Sequence, residues 1–158
     1  MMKEKIAFLF DRMLGSLCRK MRLLGFDSEL VGEADTGRFL LIAEREGRTA
    51  VTRAQRYSDR PGNPPLILTS EGTIDQIVEL LRQTGDVMDF EPFTRCLECN
   101  DLLEEESPET AAAEVPDFIG KTFQAYHRCP SCRRLYWEGT HFEAMKAQIE
   151  DIERRLKD

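Results

Sequence analysis

The stretch that decides the fold is residues 6–27, which read IAFLFDRMLGSLCRKMRLLGFD. It opens with a short apolar run, stops at the acidic residue Asp11, and continues with apolar residues at helical spacing until Gly25, a typical residue just beyond a helix end. Open α/β sheets bind ligands at the carboxyl edge, and a strand followed by a carboxylate and a helix presents a functional group there. We therefore expect Asp11 to lie at such an edge.

The residues that follow repeat this alternation of strand and helix. Strands are predicted at 6–10, 29–31, 49–52 and 66–69. Helices are predicted after Asp35 up to Gly47, and from the capping-box pattern Thr73-x-x-Gln76 up to Gly85. Alternating strands and helices indicate an α/β fold, with a mostly parallel sheet between helices on both faces and right-handed crossovers.

The composition changes near Phe93, which predicts three parts in the chain. The α/β domain occupies residues 1–93, a small loop-rich module follows at 94–140, and a last helix occupies 141–158. A second capping-box pattern, Thr140-x-x-Glu143, opens that helix. An apolar stripe along it predicts that it packs back on the main domain, with a partner helix as the alternative.

Charge is distributed unevenly along the 158 residues. The net charge is −7, which argues against a general polyanion binder. Residues 1–60 hold 12 Lys and Arg against 9 Asp and Glu, a net +3, whereas residues 61–158 hold 10 against 20, a net −10. A nucleic-acid surface is therefore expected in the first 60 residues, and the acidic C-terminal half is a candidate surface for a protein partner.

Hydropathy indicates a cytoplasmic protein. The apolar run after Lys3 and Lys5 is too short for a signal peptide, and no stretch approaches the roughly 20 apolar residues of a membrane span. The five cysteines are therefore expected in a reducing compartment, where metal binding is a commoner role than a disulfide framework.

Four of the cysteines form two CxxC pairs, which predict a structural zinc site. Each pair supplies two thiolates, and together the four complete a tetrahedral Zn²⁺ site with no open position for catalysis. The ligands are Cys96, Cys99, Cys129 and Cys132. A dithiol redox pair and a metal-free fold are the alternatives. Cys18, within the first helix pattern, is expected to be a buried small hydrophobe, and His127 is a possible substitute ligand but is expected to be an ordinary loop histidine.

Two aspartates, Asp11 and Asp35, each lie at a predicted strand-to-helix junction. One interpretation is that both are helix N-caps, since Asp is favoured there. The other is that they converge at the sheet edge to hold Mg²⁺ or Mn²⁺, which can activate water for phosphodiester hydrolysis. Glu44 and Asp59 are candidates for a third carboxylate, but spacing does not single out either one.

The assembled motifs resemble the mut-seven C-terminal ribonuclease family, in which a PIN-like nuclease domain precedes a zinc ribbon. The matching pieces run in the family's order over nearly the whole chain. They are Phe10-Asp11-x-Met13-Leu14-Gly15, Leu23-Leu24-Gly25-Phe26-Asp27, Gly47-Arg48-x2-Val51-Thr52-Arg53, Arg95-Cys96-x2-Cys99-Asn100 and Cys129-x2-Cys132-x3-Tyr136-Trp137-x-Gly139-Thr140-His141. The resemblance implies a PIN-like three-layer α/β/α fold, metal-dependent cleavage of RNA, and metal ligation by Asp11 and Asp35.

One departure from the family pattern concerns the end of the third strand. Where the family carries an aspartate of its acidic cluster, this chain has Ala54, which cannot coordinate a cation. We therefore expect a weakened nuclease with Asp11, Asp35 and Asp59 as its catalytic carboxylates, a nuclease with a rearranged site, or a non-catalytic RNA-binding or interaction module on the same fold. A third interpretation does not depend on the family resemblance. It is a zinc-ribbon adaptor that binds other proteins through its acidic C-terminal half.

Cationic and aromatic side chains complete the predicted site. Phosphate contacts are expected from the basic residues near the sheet edge, or these residues form a solvated face. They are Arg12, Arg19, Lys20, Arg22, Arg53 and Arg56. Tyr136 and Trp137 either stack on a base or, as we expect, pack the zinc module against the last helix. His141 is the candidate general base should the chemistry need no metal.

Overall fold

The computed structural model describes residues 5–59, 62, 64–85, 90–139 and 141–158. Its first sheet is fully parallel and has the strand order β2-β1-β3-β4. These strands are β1 (Phe8–Phe10), β2 (Ser28–Leu30), β3 (Thr49–Thr52) and β4 (Leu66–Ile67). The helices that follow the strands are α1 (Gly15–Leu23), α2 (Phe39–Glu46) and α3 (Thr73–Thr84). The predicted parallel α/β sheet is confirmed, and its bounds differ from the predicted ones by one or two residues at individual strand ends.

Strand β1 lies inside the sheet and is buried on both faces. Phe8 pairs with Ser28 of β2 on one side and with Thr49 of β3 on the other. Because side chains alternate along a strand, Phe8 and Phe10 face one side of the sheet and Leu9 faces the other. A strand buried in this way reads as an uninterrupted apolar run, as residues 6–10 do.

The two faces of the sheet carry different helices. The larger cluster packs Phe8 and Phe10 against α1 and α3, and it includes Ile149 and Ile152 of the last helix, α6 (Phe142–Lys157). The smaller cluster packs Leu9 against Phe39 and Ala43 of α2. The three layers of the sequence prediction are therefore present, and the apolar stripe of α6 packs on the main core.

The cysteine-containing module has more regular structure than the loop-rich prediction. An antiparallel sheet has the order β5-β6-β7, and two short helices lie between its first two strands. The elements are β5 (Glu104–Glu106), α4 (Pro108–Ala112), α5 (Asp117–Thr122), β6 (Tyr126–Arg128) and β7 (Leu135–Tyr136). The buried Arg128 joins β6 to β5, since its Nε lies 2.5 Å from Glu106 Oε2. Among the described residues, no helix is long and apolar enough to cross a bilayer.

Two capping-box predictions have different outcomes. The first is wrong, because Thr73 is already inside α3 and Gly72 is the N-cap. The Gln76 side chain donates instead to the carbonyl oxygens of Ser70 (3.0 Å) and Glu71 (3.3 Å), which fixes the loop before the helix. The second prediction involves Thr140, which lies outside the described residues.

Gly25 is where the main domain and the following segment approach most closely. It follows the end of α1 with φ +96°, and the segment after α3 crosses over it, with the Glu91 amide donating to the Leu24 carbonyl (3.0 Å). A Cβ on Gly25 would lie 2.8 Å from the Glu91 carbonyl carbon and overlap the carbonyl oxygen. Gly47 ends α2 with φ +67°, but a Cβ there would meet nothing within 4 Å.

Gly25→Ala should therefore destabilise the protein more than Gly47→Ala does. Both substitutions carry the left-handed backbone cost of about 1–2 kcal/mol, and Gly25→Ala adds an overpacking cost of about 1–3 kcal/mol against rigid backbone. Urea unfolding of the two variants and the wild type measures the difference. Equal losses in the two variants would show that the Glu91 contact is not rigid.

Candidate functional site

Asp11 follows β1 directly and is fixed by the neighbouring strand. Its amide donates to the Val51 carbonyl (2.9 Å), and its Oδ2 accepts a hydrogen bond from the Thr52 hydroxyl (2.6 Å). That hydroxyl oxygen in turn accepts from the Ala54 amide (3.0 Å). Thr52 is fully buried, so a rigidly placed hydroxyl holds the Asp11 carboxylate at the carboxyl edge of the sheet. Asp11 does occupy the N-cap position of the 3-10 turn Arg12–Leu14, as the N-cap interpretation expects, but its side chain makes no cap hydrogen bond and is bound by Thr52 instead.

A cleft of about 660 Å³ opens beside Asp11 at this edge. Its walls come from the segments that follow all four strands, with Thr36 after β2 among them, so it occupies the position where parallel sheets bind ligands. Two carboxylates line it, Asp11 and Glu71, together with Ala54. Glu71 is the acidic residue that the sequence analysis missed. It precedes α3 in an irregular loop, and only the return of the chain after β4 brings it to the same cleft as Asp11.

The other predicted carboxylates lie outside this cleft. Asp35 follows β2, parallel to β1, and therefore lies at the same edge of the sheet, but its carboxylate is half exposed and 3.8 Å from Arg38. It lies inside a 3-10 turn (Glu33–Arg38) whose N-cap is Gly32, so Asp35 is not an N-cap. Asp59 lines an adjoining cavity, and Glu44 is exposed on α2. Within the described ranges, no three carboxylates approach one another as metal ligands do, so a catalytic role for Asp35 or Asp59 stays a prediction.

The predicted phosphate-binding residues fall into two groups. Arg12, Arg53 and Arg56 line the cleft, where Arg12 also lies 3.5 Å from Glu33. Arg19 and Lys20 lie along α1 and face the C-terminal half. Arg19 pairs with Glu98, and Lys20 Nζ donates to Gln148 (2.7 Å). Burial, and then the neighbouring Arg19, lowers the pKa of Lys20.

Arg22 requires a correction, because its guanidinium is buried between the main domain and the cysteine module. Its Nε donates to the Ser28 carbonyl (2.8 Å) and its Nη1 to the Leu97 carbonyl (2.9 Å). The side chain is 11% exposed. Arg22 therefore joins α1 to the first CxxC loop, and the expectation that it contacts phosphate is wrong. Helical spacing placed it among the other cations but could not show that the cysteine module would cover it.

The four predicted zinc ligands come together in one cluster. The Sγ atoms of Cys96, Cys99, Cys129 and Cys132 all lie within 4.8 Å of one another. Two of these cysteines are buried, and the set of four sulfur ligands is the one that structural zinc sites use. The residues present therefore fit Zn²⁺. Cys18 is buried elsewhere, against the Ser28 carbonyl, and burial raises its pKa to about 11.

The two CxxC loops have the same backbone hydrogen-bond pattern. In the first, the Cys99 amide points at Cys96 Sγ (3.3 Å), and the Asn100 amide donates to the Cys96 carbonyl (2.9 Å). In the second, the Cys132 amide points at Cys129 Sγ (3.5 Å), and the Arg133 amide donates to the Cys129 carbonyl (3.0 Å). Asn100 and Arg133 both have left-handed backbone, with φ of +72° and +66°. Each loop thus orients amide dipoles toward sulfur, which stabilises thiolates.

Tyr136 belongs to this cluster. Its hydroxyl lies 3.2 Å from Cys96 Sγ and accepts a hydrogen bond from the Leu97 amide (3.1 Å). Burial alone would raise the pKa of the Cys96 thiol, but the hydrogen bonds around it, first that of Tyr136, outweigh burial and lower the pKa. Trp137 packs near Tyr126 (6.2 Å between ring centroids) and lines a pocket with Phe142 and Met145 of α6. These contacts support the packing interpretation over base stacking.

The two histidines lie outside both sites. His127 is in β6, opposite Tyr136, and does not belong to the cysteine cluster. His141 precedes α6 and lines a shallow pocket with Trp137 and Phe142, away from the residues that line the Asp11 cleft.

Asn100 connects the cysteine cluster to the parallel sheet. Its Oδ1 accepts from the Ser28 amide (3.0 Å), and its Nδ2 donates to Asp27 Oδ1 (2.7 Å) and Glu29 Oε1 (3.0 Å). Arg48 completes the network with an ion pair to Asp27 (2.7 Å). Burial alone would raise the pKa of Asp27, but hydrogen bonds from Arg48 and then Asn100 outweigh it, so the pKa is lowered. The side chain that follows Cys99 thereby accepts the hydrogen bond of the Ser28 amide at the edge strand β2.

Comparison with known proteins identifies one family. Residues 6–149 match the family model described as the Mut7-C RNAse domain, which covers nearly the whole chain. No curated protein and no solved structure matched the chain.

The cysteine geometry predicts about one tightly bound Zn²⁺ per purified chain, since four clustered thiolates bind this metal tightly and its binding is linked to folding. Cys99→Ser and Cys129→Ser should lose the metal and lower the melting temperature. Cys18→Ala, outside the cluster, should keep it. Elemental analysis of the four proteins provides the test, and a folded wild type free of zinc would overturn the assignment.

Replacing Asn100 by Gly should destabilise the protein by about 2–4 kcal/mol, because it removes buried hydrogen bonds worth about 1 kcal/mol each and leaves groups unpaired. Glycine keeps the left-handed backbone, so only the side chain is lost. Arg133→Gly is the matched control, since Arg133 has the same backbone conformation in the second loop and its side chain is exposed. Urea unfolding should show little change for Arg133→Gly. Similar losses in both variants would mean that the Asn100 side chain does not join the two parts.

Proposed function

The chain belongs to the Mut7-C RNAse domain family, and we propose that it is a metal-dependent ribonuclease of PIN-like fold in which Asp11 is the central catalytic carboxylate. The single observation that carries the proposal is the position of Asp11, fixed by Thr52 at the carboxyl edge and facing a cleft with three arginines. The cysteine module stabilises the fold and takes no part in the chemistry, because its four ligands would fill a zinc site.

A divalent cation fits this cleft in part. Asp11 and Glu71 are oxygen donors of the kind that Mg²⁺ and Mn²⁺ take, and both line the cleft. A bound cation would activate water and stabilise the leaving oxygen of a phosphodiester. The Thr52 hydroxyl holds one carboxylate oxygen of Asp11, which leaves the other for the cleft. Asp35 directly precedes Thr36, which lines the cleft, and is the carboxylate of the neighbouring strand that would join this group.

The cationic residues would hold the RNA backbone. Arg12, Arg53 and Arg56 line the cleft around Asp11, and guanidinium groups bind phosphate oxygens as paired donors or stack on bases of the strand. Arg19 and Lys20, which contact Glu98 and Gln148, would add phosphate contacts only where the RNA strand runs past the end of α1. The acidic C-terminal half would repel RNA, which confines the strand to the first domain and leaves the acidic surface for a protein partner. Zinc thiolates are stable in a reducing compartment, which supports a cytoplasmic location.

A second candidate function, RNA binding without cleavage, is favoured by Ala54. This residue lines the cleft together with Asp11, so the family's missing carboxylate would have pointed into the same space. With one ligand fewer, the site would bind Mg²⁺ weakly. If the protein is a nuclease, the Glu71 carboxylate replaces the charge that Ala54 lacks. If it only binds RNA, Glu71 does not replace that charge.

Activity on single-stranded RNA should be low with Mg²⁺ and higher with Mn²⁺, which binds a given oxygen site more tightly. Ala54→Asp should raise the rate, because it adds a carboxylate to the cleft.

Asp11→Asn and Glu71→Gln should reduce cleavage to the level without metal. Thr52→Val should reduce cleavage about 10- to 100-fold, since it removes the group that orients Asp11. Cleavage of a labelled RNA measures each rate.

Glu44→Gln is the matched control, since Glu44 is an exposed acid outside the cleft and the variant should cleave as the wild type does. Zinc content is measured in each sample, because a chelator added to remove Mg²⁺ also attacks the thiolate site. Wild type and Ala54→Asp that both bind RNA and cleave none with Mn²⁺ would establish the non-catalytic alternative. Cleavage that survives Asp11→Asn would place the chemistry elsewhere, with His141 the next residue to replace.

A further inference from the structure

A second cavity, of about 590 Å³, adjoins the Asp11 cleft. Thr36 and Arg56 line both, so a strand that leaves the cleft past Arg56 enters the second cavity. The remaining walls are Gly37, Tyr57 and Asp59. Gly37 presents an open wall, since a Cβ there would meet nothing within 4 Å.

The planar guanidinium of Arg56 forms a flat surface in this cavity. Its guanidinium lies over the Tyr57 ring, 4.7 Å from the ring centre, and its Nη2 donates to the Tyr57 hydroxyl (3.0 Å). The Tyr57 ring in turn packs against the buried Phe39, with 6.2 Å between centroids. These two contacts favour one orientation of the exposed guanidinium, with one face on the Tyr57 ring and the other face open to the cavity.

The charges of the two cavities differ. The first has two arginines of its own, Arg12 and Arg53, beside the shared Arg56, which suits phosphate. In the second cavity, one face of the Arg56 guanidinium is covered by the Tyr57 ring, and the negative charge of the Asp59 carboxylate would repel a phosphate. An uncharged, flat ligand with hydrogen-bond donors at its edge fits this combination. Nucleobases have that chemistry and stack on guanidinium planes.

We propose that the second cavity binds one unpaired nucleobase of the RNA strand, stacked on the Arg56 guanidinium, with Asp59 accepting from the edge of the base. This inference rests on the proposed function, because the same strand lies across Asp11. It makes Arg56 a base-stacking residue, where the sequence predicted only a phosphate contact. It also makes the substrate single-stranded at this position, because a base held in a duplex cannot enter the cavity.

The test compares two labelled single strands of equal length and charge, one with bases and one with abasic riboses at every position. Binding is measured by fluorescence anisotropy in the Asp11→Asn background without chelator, which stops cleavage and leaves zinc in place. Arg56→Lys keeps the positive charge and removes the planar guanidinium on which the base would stack. It should weaken binding of the base-containing strand about tenfold, within the range for loss of one stacked base, and leave the abasic strand within about twofold.

Tyr57→Leu should give the same selective loss, because the guanidinium loses its support. Arg45→Lys, the same change at an exposed arginine that lines neither cavity, should alter neither affinity. Equal weakening of both strands by Arg56→Lys would show a phosphate contact, and no weakening would show no contact. Either result overturns the base site and leaves the nuclease proposal standing. Failure of the Asp11→Asn protein to bind either strand would overturn the RNA-directed function itself.

Discussion

The pairing of β1 on both sides is the constraint from which the candidate site follows. β1 pairs in parallel with β2 and β3, so its three residues cannot shift register without breaking both ladders. The alternation Phe8, Leu9, Phe10 assigns one face to α1 and α3 and the other to α2. Asp11 is the next residue, so the same pairing delivers its carboxylate to the edge, where Thr52 of β3 holds it.

A second connection makes the cysteine module part of this arrangement. Asn100 and Arg22 hydrogen-bond to the strand-β2 end of the sheet from two directions, both meeting at Ser28. The module's geometry depends on four sulfur atoms, and the position of β2 depends in part on the module. The four-cysteine cluster lies outside the Asp11 cleft, but it can therefore influence the cleft by stabilising the sheet that forms it.

Features that depend on neighbouring residues could be predicted from the sequence. Features that depend on contacts between distant parts of the chain could not. The helix ends at Gly47 and Gly85 and the CxxC loops depend on a few neighbouring residues, so spacing was sufficient. Strand β5 is three glutamates and has no strand signature of its own. It forms because β6 pairs with it and Arg128 neutralises Glu106. Periodicity could not distinguish the buried Arg22 from the exposed Arg19, because the difference arises from a module that follows much later in the chain.

The site shows the same division. Asp11 was predictable because it follows a strand directly and begins a helical pattern. Glu71 was missed because a loop residue carries no periodic signal, and its place in the cleft depends on the path from β4 to α3. From the sequence, Arg56 could be identified only by its charge. Its stacking on Tyr57 could not be predicted, because the Tyr57 ring is positioned by Phe39 of α2. Ala54, interpreted from the sequence as a lost ligand, does line the cleft.

The most direct measurement of the central claim is the anomalous scattering of Mn²⁺ in crystals of the zinc-loaded protein soaked with this ion. A peak is expected in the cleft within about 2.0–2.6 Å of an Asp11 carboxylate oxygen, and a stronger peak is expected in Ala54→Asp crystals. No Mn²⁺ at Asp11 in either crystal, with zinc present on the four cysteines, would contradict a metal-dependent site at this edge of the sheet.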